Sequence, residues 1–199
     1  MKKFLILLSL MILPLTGACT PSLDRDDDDT TDVEVEEEHP WATWETCSQN
    51  IGDHPCDFTL VDQYSNEVSL YDYYGSVIVL DLSTMWCGPC QMAAAEVQQV
   101  QDNYANEIVY LTVLIENLDR DDPTHADLVQ WADIFGISTP VLGGSRDLLD
   151  TTGVSGWPLT SWPTFFFITD EMVIHTALQG FSSAYVDMLI EETIGEGQE

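Results

Sequence analysis

The residues best suited to chemistry are Cys87 and Cys90, in the stretch "MWCGPCQM" from Met85 to Met92. Two cysteines two residues apart can form a redox pair or supply half of a metal site. They follow the apolar run "SVIVLDLS", Ser76 to Ser83, which is β-branched and leucine-rich as a strand buried on both faces should be. They precede Ala93, Val97, Val100 and Tyr104, whose spacing marks one face of a helix. Cys87 is thereby placed at a helix N-terminus, where free backbone N–H groups and the helix dipole favour an anion. The thiol is expected to ionise readily there, and a thiolate is the attacking species in disulfide exchange. Pro89 fits the first helical turn, where its missing N–H is no loss. Cys90, one turn further on, is placed to attack a mixed disulfide and release its partner.

The other cysteines follow from compartment. Met1 to Ala18 reads as an export signal, with Lys2 and Lys3 before "FLILLSLMILPL". Its ending "LTGAC" resembles a bacterial lipobox, which makes Cys19 the expected lipidation site, although Thr16 and Gly17 depart from the commonest form. The expected location is the periplasm-facing cell envelope, or the exterior if Cys19 carries no lipid. In an oxidising compartment Cys47 and Cys56 are expected to close a structural disulfide around "CSQNIGDHPC". The weaker alternative is a metal site completed by His54, but two Cys and one His make an incomplete zinc set.

The formal charge is −30, and removal of residues 1–18 leaves 35 acidic residues facing Arg25, Arg120 and Arg146. That balance excludes nucleic-acid binding, which needs a basic footprint. It also leaves membrane attachment to the lipid anchor rather than to anionic headgroups. Residues 19–40, with "DRDDDD" and "EVEEE", read as a disordered acidic tether. The aspartate run lacks the glycine and terminal glutamate of an EF-hand loop. Residues 41–57 form an N-terminal extension, and 58–195 the main domain. There "DFTLVD" and "EVSLYDYYG" suggest a hairpin and a helical turn. "EIVYLTVLI" reads as a second buried strand, and Leu128, Trp131, Ala132 and Phe135 as a helix face. "PTFFFITD" and "MVIHTAL" suggest another hairpin, and Phe181, Tyr185, Met188 and Leu189 a closing helix. Interleaved strands and helices predict an α/β domain with a partly parallel sheet.

"WCGPC" is the thioredoxin active-site sequence. With the flanking "DFTLVDQYSNEVSLYDYYGSVIVLDLSTM", it resembles the TlpA/ResA-type branch of the thioredoxin-like superfamily. The resemblance implies a mixed central sheet flanked by helices, with an N-terminal β-hairpin extension and a central insert. It implies a thiol:disulfide oxidoreductase with no cofactor beyond the Cys87–Cys90 disulfide, supported at the site by Trp86, Gly88 and Pro89. It also implies a cis proline facing the cysteines. Of "GWPLT" and "SWPTF", the second fits, since Pro163 directly precedes Thr164 and the strand. Trp162 would then offer its backbone to an extended substrate segment. Asp81, an acid inside an apolar strand, is by resemblance a buried carboxylate that takes the proton of Cys90.

Ala93 and Ala95 stand where such reductases usually carry Glu and Pro, so the active-site helix is expected to be less kinked. Gln91 replaces a usual basic residue, so an acidic or neutral rim is expected, and none of the arginines lies near Cys87 in sequence as a peroxidatic site would want. Gly-Pro between the cysteines, as in thioredoxin, favours a reductase of protein disulfides over a disulfide oxidase, fed by a membrane thiol-transfer protein. The competing readings are a redoxin-type thiol peroxidase and a copper-delivery chaperone. The latter family's CxxxC spacing is absent.

Overall fold

A computed structural model describes residues 39–197. The expected signal segment, the Cys19 lipidation site and nearly all of the acidic tether lie outside the described residues. After a 3-10 turn at Pro40–Thr43, the chain forms the hairpin β1 (Thr59–Asp62) and β2 (Glu67–Ser69), then a second 3-10 turn at Leu70–Tyr73. Next come β3 (Val77–Thr84), α1 (Gly88–Ala94), α2 (Val97–Tyr104), β4 (Ile108–Glu116), α3 (His125–Phe135) and β5 (Val141–Gly143). The antiparallel pair β6 (Thr164–Ile168) and β7 (Ile174–Gln179) and the helix α4 (Ser183–Glu196) complete the domain. The strands form one mixed sheet in the order β2-β1-β5-β4-β3-β6-β7. β3, β4 and β5 run parallel, while β6 is antiparallel to β3. The expected thioredoxin-like α/β architecture is present.

Every residue of β3 is buried, as its unbroken apolar run requires. Period-two alternation divides its side chains between two cores. Val77 and Val79 pack with Cys90, Ala94, Val97 and Tyr110 on the face covered by α1. Ile78, Leu80 and Leu82 pack on the other face with Leu111, Trp157 and Phe166. Each such buried side chain contributes roughly 1.5–3 kcal/mol. Asp81 and Ser83 fall by the same alternation on the face of Cys90.

Two expectations need correction, and one strand has no counterpart in the sequence reading. The helix after the cysteines is interrupted between α1 and α2 without any proline. The Glu96 N–H bonds Ala93 O in a 3-10 step of 2.9 Å, with Glu96 at φ −108 and ψ −12, and regular bonding resumes at Val100. The closing helix forms, but Val186, Ile190 and Thr193 face inward, whereas Tyr185 and Met188 are about half exposed. β5, three residues long, was not anticipated.

Cys47 and Cys56 form a disulfide with Cα atoms 4.8 Å apart. Inside this loop His54 serves packing and turn structure. Its Nδ1 lies 2.7 Å from Met172 O, and its ring stacks on Trp44 at 3.8 Å between centroids. Among the described residues no group of three or more His, Cys, Asp or Glu is arranged to hold a metal, so the zinc alternative has no structural support.

Candidate active site

Cys87 and Cys90 are joined in a disulfide, Cα atoms 5.2 Å apart, where β3 delivers the chain into α1. Cys87 is the N-cap of α1, with extended backbone, and its sulfur accepts the Cys90 N–H at 3.2 Å. The sulfur therefore already receives a donor at the helix terminus where a thiolate would form. Cys87 is 5% exposed and Cys90 fully buried, whereas Gly88 and Pro89 are exposed and form the visible rim. A Cβ added at Gly88 would meet nothing within 4 Å, so this position faces open space. Gln91 ties helix to loop by donating Nε2–H to Met85 O at 2.8 Å.

The Trp162–Pro163 peptide is cis, and Thr164 opens β6 opposite Leu82 of β3. Trp162 packs against both cores. Pro163 O accepts the Gly180 N–H at 2.8 Å, which fixes this loop to the end of β7.

Asp81 lies on the sheet face beneath α1 and is 1% exposed. Ser83 Oγ donates to Asp81 Oδ1 at 2.6 Å, and Tyr110 OH reaches Oδ2 at 3.5 Å. Burial pushes the Asp81 carboxyl up to about 7, partly opposed by those two hydrogen bonds. Burial, then the Asp81 carboxylate beside it, push the Tyr110 phenol well above its usual range.

Sequence reasoning missed four participants besides Ser83. Tyr110 reads in sequence as an ordinary core aromatic. Glu116, the last residue of β4, is 3% exposed and accepts the Trp86 indole N–H at 2.8 Å. Arg146 pairs with the same carboxylate at 2.5 Å. Arg120 lies over the Trp86 ring, its guanidinium carbon 4.0 Å from the centroid, in cation–π geometry. The rim expected to be acidic or neutral thus receives two arginines distant in sequence, Arg120 on the Trp86 ring and Arg146 on the carboxylate that holds the Trp86 indole. An acid ending an apolar strand was the one available signal for Glu116.

The Cys47–Cys56 loop sits elsewhere. Gly52 and Asp53 bond the backbone of Ile174, which pairs with Ile168 and, through it, Ile78 near the start of β3. Cys87 follows the other end of that strand.

The family model described as the AhpC/TSA family matches residues 51–177. The chain belongs to this family. Among solved structures, a protein of Chlorobium tepidum described as thiol:disulfide interchange protein DsbE is 25% identical with a TM-score of 0.57. The match covers 76% of this chain and all of that one. The exposed lipoprotein thioredoxin Etrx1 of Streptococcus pneumoniae is 26% identical, TM-score 0.55, over 69% of this chain and 99% of its own. A secreted Mycobacterium tuberculosis disulfide oxidoreductase shares the fold at 14% identity and TM-score 0.54, over 68% of this chain and 95% of that one. Together they make this AhpC/TSA protein a thiol:disulfide oxidoreductase of the thioredoxin-like type.

Proposed function

We propose that the protein works outside the cytoplasm as a membrane-anchored dithiol reductant of protein disulfides. The observation that carries this reading is the stacking of functions at the end of β3. Cys87 caps α1 just beneath the exposed Gly88 and Pro89, Cys90 lies fully buried one turn further in, and Asp81 shares the buried face beneath. Reduced Cys87 attacks a substrate disulfide and forms a mixed disulfide, displacing one substrate thiolate. Cys90 passes its proton to Asp81, attacks the Cys87 sulfur, and releases the second substrate thiolate. Two electrons leave the dithiol, and the Cys87–Cys90 disulfide is the product. The Trp162 backbone would pair with an extended substrate segment beside the cysteines.

The exposed-lipoprotein relative supports the external location, with Cys19 as the anchor and a membrane thiol-transfer protein as the source of electrons. The test is the reduction potential of the Cys87/Cys90 pair, read from tryptophan fluorescence in glutathione or dithiothreitol buffers. A value near or below about −250 mV supports an electron donor, and one near about −120 mV makes the protein a disulfide donor instead.

The family name and the two arginines favour a second reading, thiol peroxidase. Against it, Arg146 is committed to Glu116 and Arg120 to the face of Trp86. Consumption of hydrogen peroxide by the reduced protein, at rates matching its disulfide reduction, would favour the peroxidase.

A further inference from the structure

The floor beneath the cysteines holds two hydroxyls to which the reaction above gives no task. Asp81 is buried with no lysine or arginine against it, since both arginines of the described domain are engaged at Trp86 and Glu116. Its charged form is therefore compensated by hydrogen bonds alone, and these are unequal. Oδ1 receives Ser83 Oγ–H at 2.6 Å, while Oδ2 has only the Tyr110 hydroxyl at 3.5 Å. A short donor holds negative charge on the oxygen it touches, so a proton enters at the oxygen whose bond is weaker. The Thr112 hydroxyl, on the residue paired with Asp81 across β4, is buried and makes no hydrogen bond, so it adds no donor to either carboxylate oxygen.

We propose that Ser83 and Tyr110 are positioning residues for proton transfer. Ser83 fixes Oδ1 so that Oδ2 receives the Cys90 proton, and the Tyr110 hydroxyl turns from donor to acceptor as that proton arrives. This rests on the assignment of Asp81 as the acceptor. The Cys90 S–H bond breaks, an O–H bond forms at Oδ2, and the Cys90 thiolate attacks Cys87 as before. The substrate disulfide remains the only oxidant. The groups facing Asp81 are Ser83 on its own strand, Tyr110 and Thr112 from β4, and the cysteines of the α1 entry. β6 pairs Phe165 with Asp81, Val186 and Ile190 of α4 belong to the same core as Cys90 and Tyr110, and Glu96 acts on Tyr110 from the α1–α2 junction.

The test uses Ser83→Ala, Ser83→Thr and Tyr110→Phe in the reduced protein. The rate of reduction of hydroxyethyl disulfide is followed from pH 5 to 9, and the Asp81 carboxyl is titrated by carbon-13 NMR. Ser83→Ala should move both midpoints upward by ~1 unit and slow the reaction about fivefold at pH 7. Ser83→Thr should restore both, and Tyr110→Phe should give a smaller upward shift. Unchanged midpoints in a Ser83→Ala protein with a normal circular dichroism spectrum and thermal transition overturn the proposal. Asp81→Asn separates the two levels. If its profile keeps the wild-type inflection, the acceptor assignment itself falls. If the inflection vanishes in Asp81→Asn but stays put in Ser83→Ala and Tyr110→Phe, only the positioning roles fall.

Discussion

Trp86 and Glu116, thirty positions apart, meet through a 2.8 Å bond from the indole N–H to the carboxylate. The bond exists because β3 and β4 run parallel and end side by side. A register shift between Ser83 and Thr84 brings Thr84 opposite Glu116. The residue before the first cysteine is thus held by the end of the neighbouring strand.

Replacing that acid should be felt in stability first. Glu116→Gln keeps an acceptor for Trp86 but loses the ion pair with Arg146. The Arg146 side chain is 64% exposed and can return to water, so the expected loss is about 1–2 kcal/mol. Glu116→Ala should lose more and alter the Trp86 emission. Urea unfolding with fluorescence detection measures both.

Asp81 should make stability depend on pH with a definite sign. Its folded value is raised from 3.8 to about 7, so between those values the unfolded chain binds fewer protons than the folded one. Stability therefore falls as pH rises through that window and levels off above it. Asp81→Asn should consequently be more stable than wild type at pH 8, by about 2–4 kcal/mol, with the gap closing near pH 4. Denaturant titrations at the two pH values decide this. A gap of equal size at both would show that the carboxylate charge is not its cause.

Cys90→Ser should arrest the reaction at a Cys87-linked mixed disulfide, visible by mass spectrometry after mixing with a disulfide peptide. Cys87→Ser should form no such adduct under the same conditions. Adducts on both variants in equal yield would contradict the division of labour between the two sulfurs.

The Cys47–Cys56 bridge spans nine positions, so closing its loop restricts the unfolded chain by an amount worth about 2.5 kcal/mol. Cys47→Ser with Cys56→Ser should lower stability by roughly that amount while leaving reduction of small disulfides by Cys87 and Cys90 intact. Thermal unfolding and a turnover assay on the same sample test it.

A formal charge of −30 makes self-repulsion a standing load on the folded state. Raising ionic strength toward 1 M, where the Debye length is about 3 Å, should raise the thermal midpoint. A midpoint that falls or stays constant would mean the acidic side chains are too dispersed to repel one another.

What the sequence disclosed was local. The cysteine pair, Pro163 before its strand and Asp81 inside an apolar run all carry their meaning within a few neighbouring positions, and the structure places each in the described architecture. Tyr110 and Ser83 gave no such signal, because a tyrosine or serine on a buried strand is ordinary until its facing partner is known. Arg120 meets Trp86 and Arg146 meets Glu116 across 34 and 30 positions, separations at which no local pattern marks a contact. The break before Val97 was invisible because no glycine or proline marks it; one carbonyl choice at Glu96 makes it. β5 was missed because three residues are too short to show a period.

The backbone bonds from Gly52 and Asp53 to Ile174 have a consequence for how molecules of this protein meet one another. β7 is an outer strand, and such strands invite a neighbour to extend the sheet from chain to chain. The stapled loop occupies the first position of that invitation. The sulfur bridge, by keeping that loop folded beside Ile174, thereby helps to close one end of an open sheet edge.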